Sequence, residues 1–229
     1  MNTSAPLSVV IPTLDAAATL PATLAAFGEA TGLVHEIIVA DGGSRDGTVA
    51  LAEALGARVI SAPRGRGSQL AAGAAGANGA WLCFLHADTR LEPGWSAAVA
   101  RFIDDPASRE RAAYFVYRLD DAATSARRLE RLVAWRGRAL GLPFGDQGLI
   151  LARELYLTLG GMPPLPLMED VALVRRIGRR RLVALEAAAV TSAARYRREG
   201  YIRRPLRNLC CLGLYFLGVP PRLIERIYG

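Results

Sequence analysis

Short apolar runs alternate with helically spaced ones over residues 1–90. Residues 7–11 are an apolar, β-branched run closed by Pro12, and nothing in it alternates with polar positions. That pattern predicts a strand covered on both faces. Residues 19–27 carry Leu20, Leu24 and Phe27 at helical spacing, with Pro21 tolerable in the first turn. The unit then repeats, with an apolar strand over 36–40, a turn at Asp41-Gly42-Gly43-Ser44, and a helix over 46–55 capped by Ser44 or Asp46. A strand at 58–61, a small-residue helix at 67–77 and a strand at 81–85 follow. This βαβα rhythm predicts a parallel sheet with helices on both faces, binding ligands beyond the carboxyl ends of its strands.

Past Pro93 the pattern predicts a helix over 95–103, a strand over 112–118 and a long amphipathic helix over 123–140 with arginines outward. Gly-Leu-Pro-Phe-Gly-Asp-Gln at 141–147 breaks that helix, and an apolar strand resumes at 148–152. A Gly- and Pro-rich stretch at 160–166 leads to Met168-Glu169-Asp170, which opens a helix to residue 177. From Arg203 the chain is helical again, in two pieces divided by Pro220-Pro221. No internal repeat is visible. The expected organisation is one domain over 1–200, with a nucleotide-binding half (1–90) and an acceptor half (91–200), followed by a helical extension over 201–229.

Composition narrows the chemistry. The 229 residues carry a net charge of +7, all of it on arginine, because the chain has no lysine. A Gly-Lys-Ser/Thr phosphate loop is thereby excluded. Arginines cluster at 175–181, 195–198 and 203–207, which fits a solvated face, nucleic acid, an anionic membrane face or a polyanionic small molecule. Aromatic residues make up 7% and do not interleave with the arginines, which argues against nucleic acid. Three cysteines form neither a disulfide framework nor a zinc spacing, so a reducing, cytoplasmic setting is expected. Residues 1–6 leave no room for a secretion signal. The longest apolar stretch, 209–220, is about half of the roughly 20 residues needed to cross a bilayer.

Thr13, Asp15, Asp41, Asp46, His86 and Asp88 all follow predicted strand ends and should converge on one rim. After the first strand stands Pro12-Thr13-Leu14-Asp15-Ala16-Ala17 in place of Gly-x-Gly-x-x-Gly, so hydride transfer is disfavoured. Acids at the phosphate end of a sheet call for a divalent cation to bridge them to an anionic ligand. Five segments in order then carry a resemblance: residues 9–14 (VVIPTL), 37–48 (IIVADGGSRDGT), 84–88 (FLHAD), 145–147 (GDQ) and 168–173 (MEDVAL), with the tail 191–195 (TSAAR) behind them. Together they span most of the chain, which resembles the family 2 glycosyltransferases of GT-A fold.

The resemblance implies an α/β, Rossmann-like, mostly parallel sheet flanked by helices, with a C-terminal helical segment. It implies a UDP-sugar donor and Mn²⁺ or Mg²⁺. Asp41, in the turn with Gly43, would accept the uracil N3–H, while Pro12, Thr13 and Asp15 line the nucleoside pocket. The family often has an acid where this chain has Ala16. Arg64, Arg66 and Gln69, at the start of a helix, would cradle the pyrophosphate; a plain loop is the other reading. The family's Asp-x-Asp is here His86-Ala87-Asp88. Asp88 would bind the metal, with His86 either a second ligand suited to Mn²⁺ or a core histidine bonded to backbone, and Ala87 beside the ligand. Displacement at the anomeric carbon with inversion would use Asp170 as base and Glu169 as its support, although acids in a helix's first turn also favour the dipole. Asp146 and Gln147 would face acceptor or sugar, and Arg195 and Arg198 would reach the diphosphate. The Gln-x-x-Arg-Trp signature of processive synthases is absent, which disfavours polymer synthesis.

The small size and the segments 85–89 and 145–148 look most like a compact bacterial subfamily that includes selenosugar synthases. Three readings stand open. The first is transfer from UDP-glucose or UDP-N-acetylglucosamine to a small acceptor, with selenophosphate as the leading case. The second is a glycosyltransferase peripheral to the inner face of the membrane that acts on a lipid phosphate, anchored by residues 203–207 and 209–219. For that segment a buried C-terminal helix or a homodimer helix is the competing assignment. The third is a non-catalytic nucleotide-binding protein.

Overall fold

The computed structural model describes residues 6–30 and 32–228, so nearly all of the segment read as too short for a secretion signal lies outside the described residues. Strand β1 (Leu7–Thr13) is buried along its whole length. It lies between β2 (Val34–Asp41) and β4 (Trp81–Phe84), parallel to both, and β3 (Arg58–Ser61) pairs parallel with the far side of β2. Thr13 is in register with Asp41, so the polar ends of β1 and β2 reach the same level. Helices α1 (Leu20–Ala25), α2 (Thr48–Ala54) and α3 (Arg66–Ala75) connect these strands. Neither cap candidate for α2 holds the N-cap, which is Gly47 with no side-chain bond; Asp46, one residue earlier, accepts from the Thr48 amide at 2.9 Å, while the Ser44 hydroxyl turns to Asp41. The small residues of α3 let it lie directly on the sheet: a β-carbon on Gly73 would come within 2.4 Å of Val10 Cγ1.

Beyond β4 the sheet changes sense. The chain runs through β5 (Thr89–Leu91), α4 (Trp95–Asp104), β6 (Ala112–Leu119), α5 (Thr124–Leu140), β7 (Leu149–Ala152), α6 (Arg153–Thr158), α7 (Glu169–Ile177) and β8 (Leu182–Thr191). It ends in α8 (Ala194–Glu199), α9 (Arg203–Phe216) and α10 (Pro221–Tyr228). The strand order is β3-β2-β1-β4-β7-β6-β8-β5. Strand β7 is antiparallel to both β4 and β6, β5 is antiparallel to β8, and β6 and β8 are parallel. The sheet is therefore mixed, mostly parallel on the β1 side. Strands β5 and β8 were not foreseen. Strand β8 reads LVALEAAAVT, an alanine-rich run with helical propensity, and pairing with β6 and β5 on its two sides overrides that preference.

The main core packs these helices on the sheet. In it Trp95 sits edge-on to Phe27 with centroids 5.3 Å apart and donates its indole N–H to the Ala26 carbonyl at 2.9 Å. A second apolar cluster, with Leu142, Leu167, Met168, Val171, Cys211, Leu212 and Ile224, fastens α9 and α10 to α7. No helix among the described residues is long and apolar enough to cross a membrane.

Candidate active site

The turn after β2 is organised by one carboxylate. Asp41 accepts from the hydroxyls of Thr13 (2.9 Å) and Ser44 and from the amides of Gly43 and Ser44 (2.9 Å each). Burial pushes its pKa up, but these four donors outweigh burial and hold it below the usual carboxylate value. All four acceptor positions of the carboxylate are thus filled from within the chain. A base N–H can reach Asp41 only by replacing the Thr13 or Ser44 hydroxyl, the two donors able to rotate. Asp15, with φ of 51°, accepts from the Arg45 amide at 2.7 Å and gives its own N–H to Ser44 Oγ. The two turns are laced into one wall.

That wall borders an open groove of about 660 Å³ lined by Pro12, Thr13, Asp15, Arg64, Arg66, Gln69, His86, Ala87, Asp88 and Arg195. Ten residues singled out from sequence therefore meet in one place. Asp41 and Gly43 stand behind the wall and do not line the groove. Gln69 lines it but has little to offer a ligand: its amide donates to the carbonyls of Thr13 (2.6 Å) and Ala40 (2.9 Å), clamping the ends of β1 and β2. Its amide nitrogen is thus engaged in the scaffold beside the expected pyrophosphate position.

A second, smaller cavity of about 100 Å³ shares Arg66, His86, Asp88 and Arg195 with the groove and is otherwise lined by Asp146, Asp170 and residues of β6, β8, α8, α9 and α10. Asp170 Oδ2 accepts from the Gly145 amide at 2.6 Å, which aims the carboxylate at the cavity. His86 lies against the same glycine; a β-carbon at position 145 would come within 2.6 Å of His86 Nε2 and 3.3 Å of Asp170 Oδ2. Burial, with Arg66 nearby, pushes the His86 pKa down to about 4, which leaves a neutral imidazole at neutral pH.

Beneath Asp170, Glu169 has no exposed surface, and Arg66 Nε lies 3.0 Å from its Oε1, an ion pair without hydrogen-bond alignment. Burial raises the Glu169 pKa to about 7, and the neighbouring Asp170 adds to the rise while Arg66 opposes it. The Arg66 pKa is raised above its ordinary value, since Glu169 and Asp170 outweigh the burial that opposes them. Asp146 Oδ1 is buried without a hydrogen-bond partner, and its pKa is pushed up to about 6 by burial, with Arg136 opposing.

Two expectations fail here. Gln147 is buried outside the cavity, where its amide donates to the Phe115 carbonyl at 3.2 Å and its oxygen accepts from the Phe144 amide, so it holds the turn at Gly145–Gln147 rather than meeting a ligand. Arg198 points away from both cavities, its side chain 76% exposed and paired with Glu199. Sequence reading missed Tyr117, Phe144, Met168, Thr191, Ser192, Tyr196, Arg204, Asn208 and Tyr228, which wall the small cavity. One signal was available: Arg204 belongs to an arginine cluster yet falls on the face of α9 that turns inward, and it is buried.

Among the described residues no group of three or more His, Cys, Asp or Glu side chains is arranged to hold a metal ion. What the site offers is Asp88 and a neutral His86 at the junction of the two cavities. That donor set fits a divalent cation completed by phosphate oxygens and water, the usual manner of Mg²⁺ and Mn²⁺ at diphosphates, and does not fit an all-protein cage.

The chain belongs to glycosyl transferase family 2, whose sequence model matches residues 8–141. It is 39% identical over 106 residues to PGL/p-HBAD biosynthesis glycosyltransferases of Mycobacterium bovis and Mycobacterium tuberculosis, a stretch covering 43% of this chain and 41% of those proteins. The match thus spans about two fifths of the length of these curated relatives. Among solved structures, glucosyl-3-phosphoglycerate synthase from Mycobacterium tuberculosis is 25% identical with a TM-score of 0.59, over 82% of this chain and 70% of that one. The same enzyme with Mn²⁺, UDP-glucose and phosphoglyceric acid matches at 24% identity and a TM-score of 0.56, with the same coverage. Mannosyl-3-phosphoglycerate synthase from Rubrobacter xylanophilus shares the fold at 18% identity and a TM-score of 0.61, over 93% of this chain and 75% of that one.

Proposed function

We propose that this chain transfers a sugar from a UDP-sugar, UDP-glucose or UDP-N-acetylglucosamine, to a small acceptor by inverting displacement at the anomeric carbon. One observation carries the reading: a large groove and a small cavity meet at Arg66, His86, Asp88 and Arg195. Their sizes support a nucleotide-sugar in the groove and a compact acceptor in the cavity. The solved complex of the structurally similar synthase with Mn²⁺ and UDP-glucose supports the same choice of donor and metal. The division of the chain at residue 90 into nucleotide and acceptor halves, with a helical extension after 200, belongs to this proposal.

The acceptor hydroxyl attacks the anomeric carbon, the bond from that carbon to the diphosphate oxygen breaks, and the hydroxyl proton passes to Asp170. The Gly145 amide bond to Asp170, which holds the carboxylate at the cavity, supports this role. Arg66 and Arg195, lining both spaces, stabilise the negative charge that grows on the departing UDP. Asp88, with His86, would hold the divalent cation, which supplies further charge stabilisation at the diphosphate when bound. Glu169 fixes the Arg66 guanidinium from below. Asp41 binds uracil through exchange of one hydroxyl donor, and Asp15 and Thr13 flank it.

Selenophosphate is the special case favoured by the resemblance of segments 85–89 and 145–148. A selenium nucleophile needs little deprotonation at neutral pH, and a 100 Å³ cavity with arginines suits a compact anion. The test is UDP release by purified protein from either donor with Mn²⁺ or Mg²⁺, with selenophosphate, 3-phosphoglycerate or a lipid phosphate added, followed by mass spectrometry of products. Acceptor-dependent release that disappears in Asp88→Ala supports the proposal, and the productive arm names the acceptor. Folded protein that binds UDP but releases none from any donor would leave a non-catalytic nucleotide-binding protein.

A further inference from the structure

Helices α9 and α10 are two-faced. Inward they present Arg204, Asn208, Cys211, Leu212, Ile224 and Tyr228 to the acceptor cavity and to the second apolar cluster. Outward they present Ile202 just ahead of α9, Leu206, Leu209 and Phe216 along it, Leu217 in the connecting turn, and Leu223 and Ile227 on α10. Ile202 is 74% exposed and Leu217 82%. Ile202, Leu206, Leu209 and Phe216 stand four, three and seven residues apart, spacings that keep them on one side of the helix, so they form one stripe rather than scattered exceptions. Isolated exposed leucines are ordinary, but seven large apolar side chains on two consecutive short helices and the residues that flank α9 are a patch that needs an occupant.

The charge of the same segment says which occupant. Residues 203–228 hold five arginines and a single acid, Glu225. Arg204 and Arg207 pair with Glu199, while exposed Arg203, Arg222 and Arg226 stand outside the ion pairs of this region. A second copy of the chain would bring its own arginines to the contact and face repulsion, whereas an anionic lipid surface meets both the apolar stripe and the cations. No helix among the described residues can span a bilayer, so the segment would lie along the surface.

We infer that α9 and α10 dock this protein on anionic lipid bilayers, with Leu206, Leu209, Phe216, Leu217, Leu223 and Ile227 in the acyl boundary and Arg203, Arg222 and Arg226 at the headgroups. Because the opposite face of the same helices walls the small cavity, docking holds that cavity about one helix diameter, roughly 10 Å, from the membrane. The inference concerns the outer surface and holds whether or not the cavity performs glycosyl transfer.

The experiment is co-sedimentation of the full chain with vesicles of phosphatidylcholine alone or with about one third phosphatidylglycerol, alongside sedimentation velocity without lipid. The expected result is monomeric protein that pellets with anionic vesicles and stays in the supernatant with neutral ones. Arg203→Gln, Arg222→Gln and Arg226→Gln combined should weaken binding on the order of a hundredfold, at about fivefold per charge. Leu209→Glu with Leu217→Glu should abolish it while leaving the circular dichroism spectrum and UDP binding unchanged, since neither residue touches the core or the groove. Equal recovery with both vesicle types, binding that survives both sets of substitutions, or a concentration-dependent dimer that Leu209→Glu dissociates would each overturn the inference.

Discussion

Replacing Glu169 by glutamine should erase a definite part of the pH dependence of stability. In the folded chain burial raises this carboxyl from its ordinary value of 4.5 to about 7, against the pull of Arg66 3.0 Å away. Between those two values the folded protein keeps a proton that the unfolded chain has already released. Stability is therefore lost as pH rises through the window, at about 1.4 kcal/mol per unit. The window implies a total on the order of 3 kcal/mol, with no discount for solvent because Glu169 has no exposed surface. Asp146 and His86 titrate in overlapping ranges with opposite sign, the first losing stability as pH rises and the second gaining it. A comparison of wild type with Glu169→Gln cancels both to first order. Urea unfolding followed by tryptophan fluorescence at about pH 5, 6, 7 and 8 gives the two curves. The variant should gain on wild type by about 3 kcal/mol from the acid to the alkaline end. A difference that stays flat across the series would mean that Glu169 is ionised throughout and that Arg66 neutralises it fully, which refutes the reasoning.

Other outcomes follow from the same geometry. Gly145→Ala forces His86 away by roughly 1 Å to restore van der Waals separation. The transfer rate should then fall on the order of 10²-fold with little change in urea midpoint, as measured by UDP release and unfolding on one preparation. Asp170→Asn should lower kcat on the order of 10²- to 10⁴-fold while leaving UDP affinity by calorimetry unchanged; an equal loss of affinity would move Asp170 from proton transfer to binding. Gln69→Leu strips donors from two buried carbonyls and should cost about 2 kcal/mol of stability, with the KM for the donor sugar scarcely moved.

The groove side of the site was legible because its signals are local. Each of Thr13, Asp15, Asp41, His86 and Asp88 follows an apolar run, and parallel strands carry their carboxyl ends to one rim without any further information. The far side of the sheet was not legible in the same way. Alanine-rich β8 is a strand only because β6 and β5 offer it partners, and no local signal announces partners that lie 70 or more residues upstream in register, such as Ala112 opposite Leu182. The small cavity draws Tyr117, Arg204, Asn208 and Tyr228 from three separate elements, β6, α9 and α10, so its lining exists only once the chain is folded. Gln69 and Gln147 show the converse error: both stand where a ligand contact was expected, and both spend their amides on backbone.

The antiparallel pairing of β4 with β7 bears on how such a protein can diverge. One face of that seam is inherited through β1, β2 and the turn at Asp41; the other is assembled from α7, β8 and the tail. The family match ends at residue 141, before the turn at Gly145–Gln147, before Asp170 and before every tail residue that walls the small cavity. On the proposed assignment, most groove residues that would meet the donor therefore lie inside the matched stretch, and most of the small-cavity wall that would meet the acceptor lies after it. Under that proposal, family membership read from residues 8–141 speaks to what would be given and hardly at all to what would receive it.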